Sequence, residues 1–146
     1  MLVMYLSKRY QKLLDFLEIP EKILIRDFDK ILEMYEKCKK ISMEISLVMK
    51  GEIHGSLFEI NFLYPYLTRR NGENFTEIPS NLPENFLVLH FHTKNPNFSD
   101  GDKIVSHLRR IPLLMLYIDE KNVILKGVLP VKNTLVYGEY KGKLDL

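Results

Sequence analysis

The spacing of hydrophobic residues along this chain changes between the period of helices and the period of strands. Apolar side chains recur every three or four positions over residues 4–18 and again over residues 28–40, which predicts two amphipathic helices. Pro20 ends the first helix, and Asp27 is placed to cap the start of the second. The short apolar segment 21–25 between them is predicted to be a strand.

The rest of the chain is dominated by the alternation that is typical of strands. Residues 42–50 alternate cleanly, Gly51 permits a turn, and residues 56–63 return as the second strand of a hairpin. The position of its tip stays open, because Gly51 and Gly55 allow several registers. The other predicted elements are strands at 86–92, 113–118 and 122–128, an edge strand at 134–140, a short helix at 102–110 and a long loop at 65–85. Because helices and strands interleave, the predicted class is α/β or α+β, with a sheet covered by helices.

Composition and charge exclude several classes of protein. The 146 residues suffice for one domain, and a formal net charge of +2 is too small to predict binding to nucleic acid or to a membrane surface. The longest apolar runs, such as 111–118, fall far short of the roughly 20 residues that a membrane span needs, and the first residues lack the features of a signal peptide. The single cysteine, Cys38, excludes an internal disulfide and a thiol-rich zinc site, so we expect a cytoplasmic protein.

Two histidines separated by one residue give the clearest indication of chemistry. His90 and His92 follow an apolar strand, and residues i and i+2 of a strand point to the same face, so both imidazoles can converge on one point. Ser99 and Asp102 follow in a polar segment and add a hydroxyl and a carboxylate. A catalytic zinc ion takes three protein ligands and keeps one open position, which this set of side chains could provide.

Each of these residues also has a purely structural interpretation. Two histidines can fall two positions apart by chance, and Ser99 with Asp102 has the spacing of a capping box at the start of a helix. Asp100 is a rival carboxylate to Asp102, and Glu44 by itself is typical of a solvent-facing strand residue.

Other zinc families that use an H-x-H pair fit the chain less well. The metallo-β-lactamase pattern needs an acid and then a histidine where Lys94 and Asn95 stand. The amidohydrolase pair belongs to a barrel of about 250 residues, which this chain cannot build. The H-E-x-x-H motif of thermolysin-like enzymes is absent from the sequence.

A longer pattern resembles the JAMM (MPN+) family of zinc metalloproteases. That family carries a glutamate on an early strand, in the form E-x-x-G-x-L-x-G, followed by H-x-H and then by S-x-x-D. The same order is kept here by Glu44 and Gly51, by His90 and His92, and by Ser99 and Asp102. The resemblance covers about residues 21–130.

The chain departs from the family pattern at several positions. Leu47 replaces a glycine, Phe91 stands where the family usually has Ser or Thr, and Thr93 stands where it usually has Pro. The loop between the second histidine and Ser99 is one residue shorter than the common form. The resemblance divides the chain into a helical extension over 1–20 and an MPN-like domain over 21–146.

The resemblance implies a fold, a metal and a set of roles. The fold would be the three-layer MPN or cytidine-deaminase-like one, a central mixed β-sheet flanked by helices. His90, His92 and Asp102 would bind Zn²⁺, Glu44 would be the general base, and Ser99 would donate a hydrogen bond to the oxyanion.

The implied activity is that of a zinc-dependent metallopeptidase or isopeptidase. Its partner would be a protein substrate, with a conjugate of a ubiquitin-like modifier as one candidate, and neither nucleic acid nor a membrane is expected. A homodimer is left open. The alternatives are a catalytically silent MPN-type scaffold that binds other proteins, and a metal-stabilised fold without an open coordination position.

Overall fold

The structure is a computed structural model that describes residues 1–14, 19–41, 45–66, 85–97, 112–131 and 134–144. The described strands are β1 (Leu2–Leu6), β2 (Lys22–Ile25), β3 (Ser46–His54), β4 (Leu57–Tyr66), β5 (Phe86–Phe91), β6 (Leu113–Asp119), β7 (Asn122–Val131) and β8 (Thr134–Lys143). A 3-10 helix (Lys8–Leu13) follows β1, and helix α1 (Phe28–Lys40) follows β2. No helix in these ranges is long and apolar enough to cross a membrane.

The eight strands close on themselves in the order β1-β2-β4-β3-β5-β6-β7-β8. The pairs β2–β4 and β5–β6 are parallel, and all the other neighbours are antiparallel. Closure comes from β8, which pairs with β7 on one side and with β1 on the other. A closed sheet leaves no row of unpaired backbone groups at an edge.

The predicted three-layer α/β fold, a central sheet flanked by helices, is therefore wrong. The difference begins at the N-terminus, where the predicted helix over 4–18 is a strand up to Leu6 and a 3-10 helix from Lys8. Residues 15–18 lie outside the described ranges. The even-numbered residues of β1 are buried and the odd-numbered ones are exposed. Because β1 also pairs with β2 and β8, it is one of the strands of the barrel. The predicted edge strand at 134–140 belongs to β8, which pairs with β7 along its length and with β1 at Tyr140 and Lys141.

The hairpin of β3 and β4 is confirmed, and its tip, which the sequence leaves open between Gly51 and Gly55, lies at Gly55. Strand β3 continues through Gly51 to His54, and the chain turns at Gly55, whose φ of 63° lies in the left-handed region that glycine adopts without strain. The strands predicted near 21–25, 56–63, 86–92, 113–118 and 122–128 are confirmed, as is the helix over 28–40. Of the predicted loop, residues 65–66 belong to β4 and residues 67–84 lie outside the described ranges, as does the predicted helix 102–110.

One hydrophobic core unites the inward face of the barrel with helix α1. The helix contributes its buried stripe, Phe28, Ile31, Tyr35 and Cys38, as its periodicity predicts. Asp27 occupies the position before the helix, but its side chain makes no capping hydrogen bond. Strands β5 and β6 and the first four residues of β3 (46–49) are buried on both faces, which explains their almost continuous apolar sequences.

Candidate functional site

The two histidines lie at the carboxyl end of β5, on the face that points away from the hydrophobic core. Strand β5 runs antiparallel to β3 and parallel to β6, so its side chains are enclosed on both flanks. His90 is 2% exposed and His92 is 8% exposed. Their ring atoms are therefore removed from bulk water, which is unusual for a residue type that most often stays partly exposed.

The imidazoles converge as the strand periodicity predicts. The Nε2 atoms of His90 and His92 are 2.9 Å apart, and the rings are stacked with centroids 4.8 Å apart and planes inclined by 23°. At this distance the two nitrogens can share one proton, as donor and acceptor. Two histidines on one tetrahedral zinc ion, with bonds of about 2.0–2.1 Å, place their nitrogens about 3.3 Å apart. The observed separation is within a few tenths of an ångström of that geometry.

The backbone of His92 is fixed on both sides. Its amide donates to the carbonyl of Leu116 at 2.9 Å, and its carbonyl accepts a hydrogen bond of 2.8 Å from the hydroxyl of Tyr35. The same hydroxyl accepts a 3.0 Å hydrogen bond from the amide of Ile118. Tyr35 thus connects helix α1 to two neighbouring strands at the point where the histidines emerge.

Burial keeps the Tyr35 hydroxyl in its neutral form. It raises the pKa of Tyr35 from 10.0 to about 12, with the hydrogen bond from the Ile118 amide acting in the opposite direction. The helical periodicity of residues 28–40 places Tyr35 on the buried stripe of α1 but does not indicate its polar role. A tyrosine on a buried stripe indicates that its hydroxyl needs a hydrogen-bond partner, but the sequence does not show which groups provide it.

Phe91 belongs to the core and does not face the site. Its side chain is fully buried and meets the ring of Tyr35 edge to face, with centroids 5.2 Å apart. Strand alternation places it on the opposite face from both histidines. Phe91 is therefore a packing residue on the inner face of β5.

Ser46 is a further polar residue of the site, and the local sequence pattern does not indicate its role. It lies directly opposite His90 in the antiparallel pairing of β3 with β5, so the two side chains share one face of the sheet. Ser46 is fully buried, and no described residue provides a hydrogen-bond partner for its Oγ atom. A buried hydroxyl without a partner costs about 1–3 kcal/mol of stability.

The remaining predicted site residues, Glu44, Ser99 and Asp102, and the rival Asp100, lie outside the described residues. Within the described ranges no group of three His, Cys, Asp or Glu side chains is placed to hold a metal ion. A third histidine, His54, lies at the exposed end of β3, where its Nε2 is 3.5 Å from Glu52 and 3.6 Å from Glu59. The structure therefore brings together His90 and His92 and adds Ser46 and Tyr35 to their surroundings.

Comparison with known proteins finds no relative, since no family model, no curated protein and no solved structure matches this chain. The resemblance to the JAMM family consequently depends on the order and spacing of its motif residues alone, and it stays a prediction.

Proposed function

We propose that this protein binds Zn²⁺ and hydrolyses peptide or isopeptide bonds in protein substrates, with conjugates of a ubiquitin-like modifier as the candidate substrate class. His90 and His92 would be two of the protein ligands, and Asp102 would be the third. The observation that carries this proposal is the 2.9 Å approach of two buried imidazole Nε2 atoms at the end of one strand.

The donor set suits zinc rather than a harder or softer cation. Imidazole nitrogens with one carboxylate are the ligands of many catalytic zinc sites, whereas thiolate is excluded because Cys38 is buried on helix α1. The hydrogen bonds that hold the His92 backbone restrict its ring to one region of the sheet face. A ligand residue held in this way loses less conformational entropy when an ion binds than one on a free backbone.

The ion would polarise a substrate carbonyl and lower the pKa of water, which is the chemistry that zinc supplies in hydrolases. Glu44 would accept the proton of the attacking water and pass it to the leaving amine. In the sequence it precedes Ser46, the residue opposite His90, by two positions. Ser99 would donate a hydrogen bond to the oxyanion that develops on the carbonyl.

Metal content tests the first part of the proposal. Wild-type protein purified under zinc-replete conditions should hold about one zinc ion per chain, and His92→Ala should lose it, because two remaining ligands bind zinc weakly. His54→Ala is the matched control, since it removes an exposed histidine at the far end of β3. Elemental analysis gives the result, and a wild type without zinc would overturn the proposal.

Cleavage assays test the second part. Zinc-loaded wild type should cleave at least one member of a panel of linear and isopeptide-linked fusions to ubiquitin-like proteins. Glu44→Gln should keep its zinc and lose about 10²–10⁴-fold in kcat, because the base is removed while the charge-neutral amide preserves shape. If the zinc-loaded wild type cleaves no member of the panel, the proposed hydrolase activity is wrong and the catalytically silent scaffold is favoured.

A further inference from the structure

Ser46 stands out in β3 as a hydroxyl among apolar neighbours. Its three successors, Leu47, Val48 and Met49, are each fully buried, and Ser46 is fully buried with them. Its side chain points to the face that carries His90, because directly opposed residues of an antiparallel pair share a face. The hydroxyl has no hydrogen-bond partner among the described residues.

Packing alone does not explain a serine at this position. An alanine would fill nearly the same volume without burying a polar atom, and removing a buried hydroxyl that has no partner is neutral or stabilising. Unsatisfied buried polar groups in folded proteins therefore call for a specific reason, such as a bound water, an ion or a role in chemistry. The position of Ser46 opposite His90 provides such a reason. A ligand bound by the two imidazoles would lie on the same sheet face as the Ser46 Oγ atom.

We propose that Ser46 is a hydrogen-bonding residue of the histidine site, and that its Oγ is satisfied by an oxygen atom that enters with the bound ion. The oxygen belongs either to water or to a carbonyl or hydroxamate group of a ligand. This inference depends on the proposed zinc site, and it assigns to Ser46 the role of a positioning residue that orients the oxygen ligand next to His90.

Two variants of the same strand separate this role from a structural one. Ser46→Ala removes the hydroxyl, and Val48→Ala removes packing two residues further along the same face of β3. In the metal-free protein, Ser46→Ala should unfold at the same temperature as wild type or at a higher one, whereas Val48→Ala should unfold at a lower temperature. Thermal unfolding monitored by circular dichroism gives this comparison.

For ligand binding we expect the larger effect from Ser46→Ala and not from Val48→Ala. Zinc affinity is measured by competition with a chromophoric chelator, and binding of acetohydroxamate to the zinc-loaded protein is measured by calorimetry. If the oxygen belongs to water, Ser46→Ala should lower the affinity for zinc about 10-fold or more. If it belongs to a ligand, the same change should lower the affinity for acetohydroxamate to a similar extent. Val48→Ala should leave both affinities unchanged.

Each outcome bears on one proposal or on both. If Ser46→Ala binds zinc and acetohydroxamate as wild type does, Ser46 has no role in the site while the zinc proposal stands. If Ser46→Ala destabilises the metal-free protein, its hydroxyl is satisfied within the fold and the inference is wrong. A wild type that binds no zinc overturns the proposed function and this inference together.

Discussion

At the scale of single residues, Tyr35 gives the sharpest prediction, because one hydroxyl holds two strands and the helix together. Tyr35→Phe keeps the ring that packs on Phe91 but leaves the His92 carbonyl and the Ile118 amide without their partner. At pH 7 we expect the free energy of unfolding to fall by about 1–3 kcal/mol. Urea denaturation of the two proteins measures this difference.

The pH dependence of that difference identifies the hydroxyl as its cause. A tyrosine whose pKa is raised in the folded state contributes its full stabilisation below the unfolded value of 10.0 and loses it as pH rises through the folded value of about 12. The gap between wild type and Tyr35→Phe should therefore narrow from pH 10 to pH 12. Tyr5→Phe, at an exposed position of β1, should show no such gap at pH 7, and a gap that persists at pH 12 would contradict this account.

The residues of the candidate site differ in how far sequence could predict them. His90 and His92 were found because the period of a strand is local and places both rings on one face, as observed. The roles of Tyr35 and Ser46 could not be predicted, because they depend on segments that are distant in the sequence. Tyr35 bonds to the backbone of His92 and Ile118. Ser46 lies opposite His90 through the pairing of β3 with β5. No local pattern carries such information.

At the scale of elements, β3 shows why a glycine does not always mark a turn. Gly51 lies inside the strand, where an added Cβ would collide with the ring of Phe58 and come within 3.0 Å of a methyl carbon of Leu87. The glycine therefore makes room for a core aromatic ring, and the turn falls to Gly55 with its positive φ. Sequence alone could not choose between these two glycines, since both are compatible with a hairpin.

Gly51→Ala should accordingly destabilise the protein by overpacking, by about 1–3 kcal/mol in the free energy of unfolding. Combining it with Phe58→Leu should cost less than the sum of the two single changes, because the smaller side chain relieves the collision. Gly55→Asn is the control: asparagine tolerates the left-handed conformation and an added Cβ has no neighbour within 4 Å, so its cost should be small. Additive costs for Gly51 and Phe58 would show that the two positions do not compete for space.

At the scale of the whole molecule, closure of the barrel is what the sequence could not reveal. The first and last strands meet through the pairs Tyr5–Lys141 and Leu6–Tyr140, which join the two ends of the chain. The apolar residues of the N-terminal segment fit the spacing of a strand and that of a helix. Its pairing with β2 and β8 makes it a strand. A local sequence pattern cannot decide between helix and strand where the decision depends on pairing with distant strands.

If β1 is an integral strand, its inward and outward residues should respond very differently to substitution. Met4 is fully buried in the core, so Met4→Ala should lower the free energy of unfolding by about 2–5 kcal/mol through lost apolar contact and a cavity. Val3, next to it, is 40% exposed on the outer face, so Val3→Thr should change the same quantity by no more than about 0.5 kcal/mol. A helix over 4–18 added to an independent domain would give small effects at both positions. Guanidinium denaturation of the two variants beside wild type decides between these outcomes, because only a strand closed between β2 and β8 makes Met4 indispensable while leaving its neighbour replaceable.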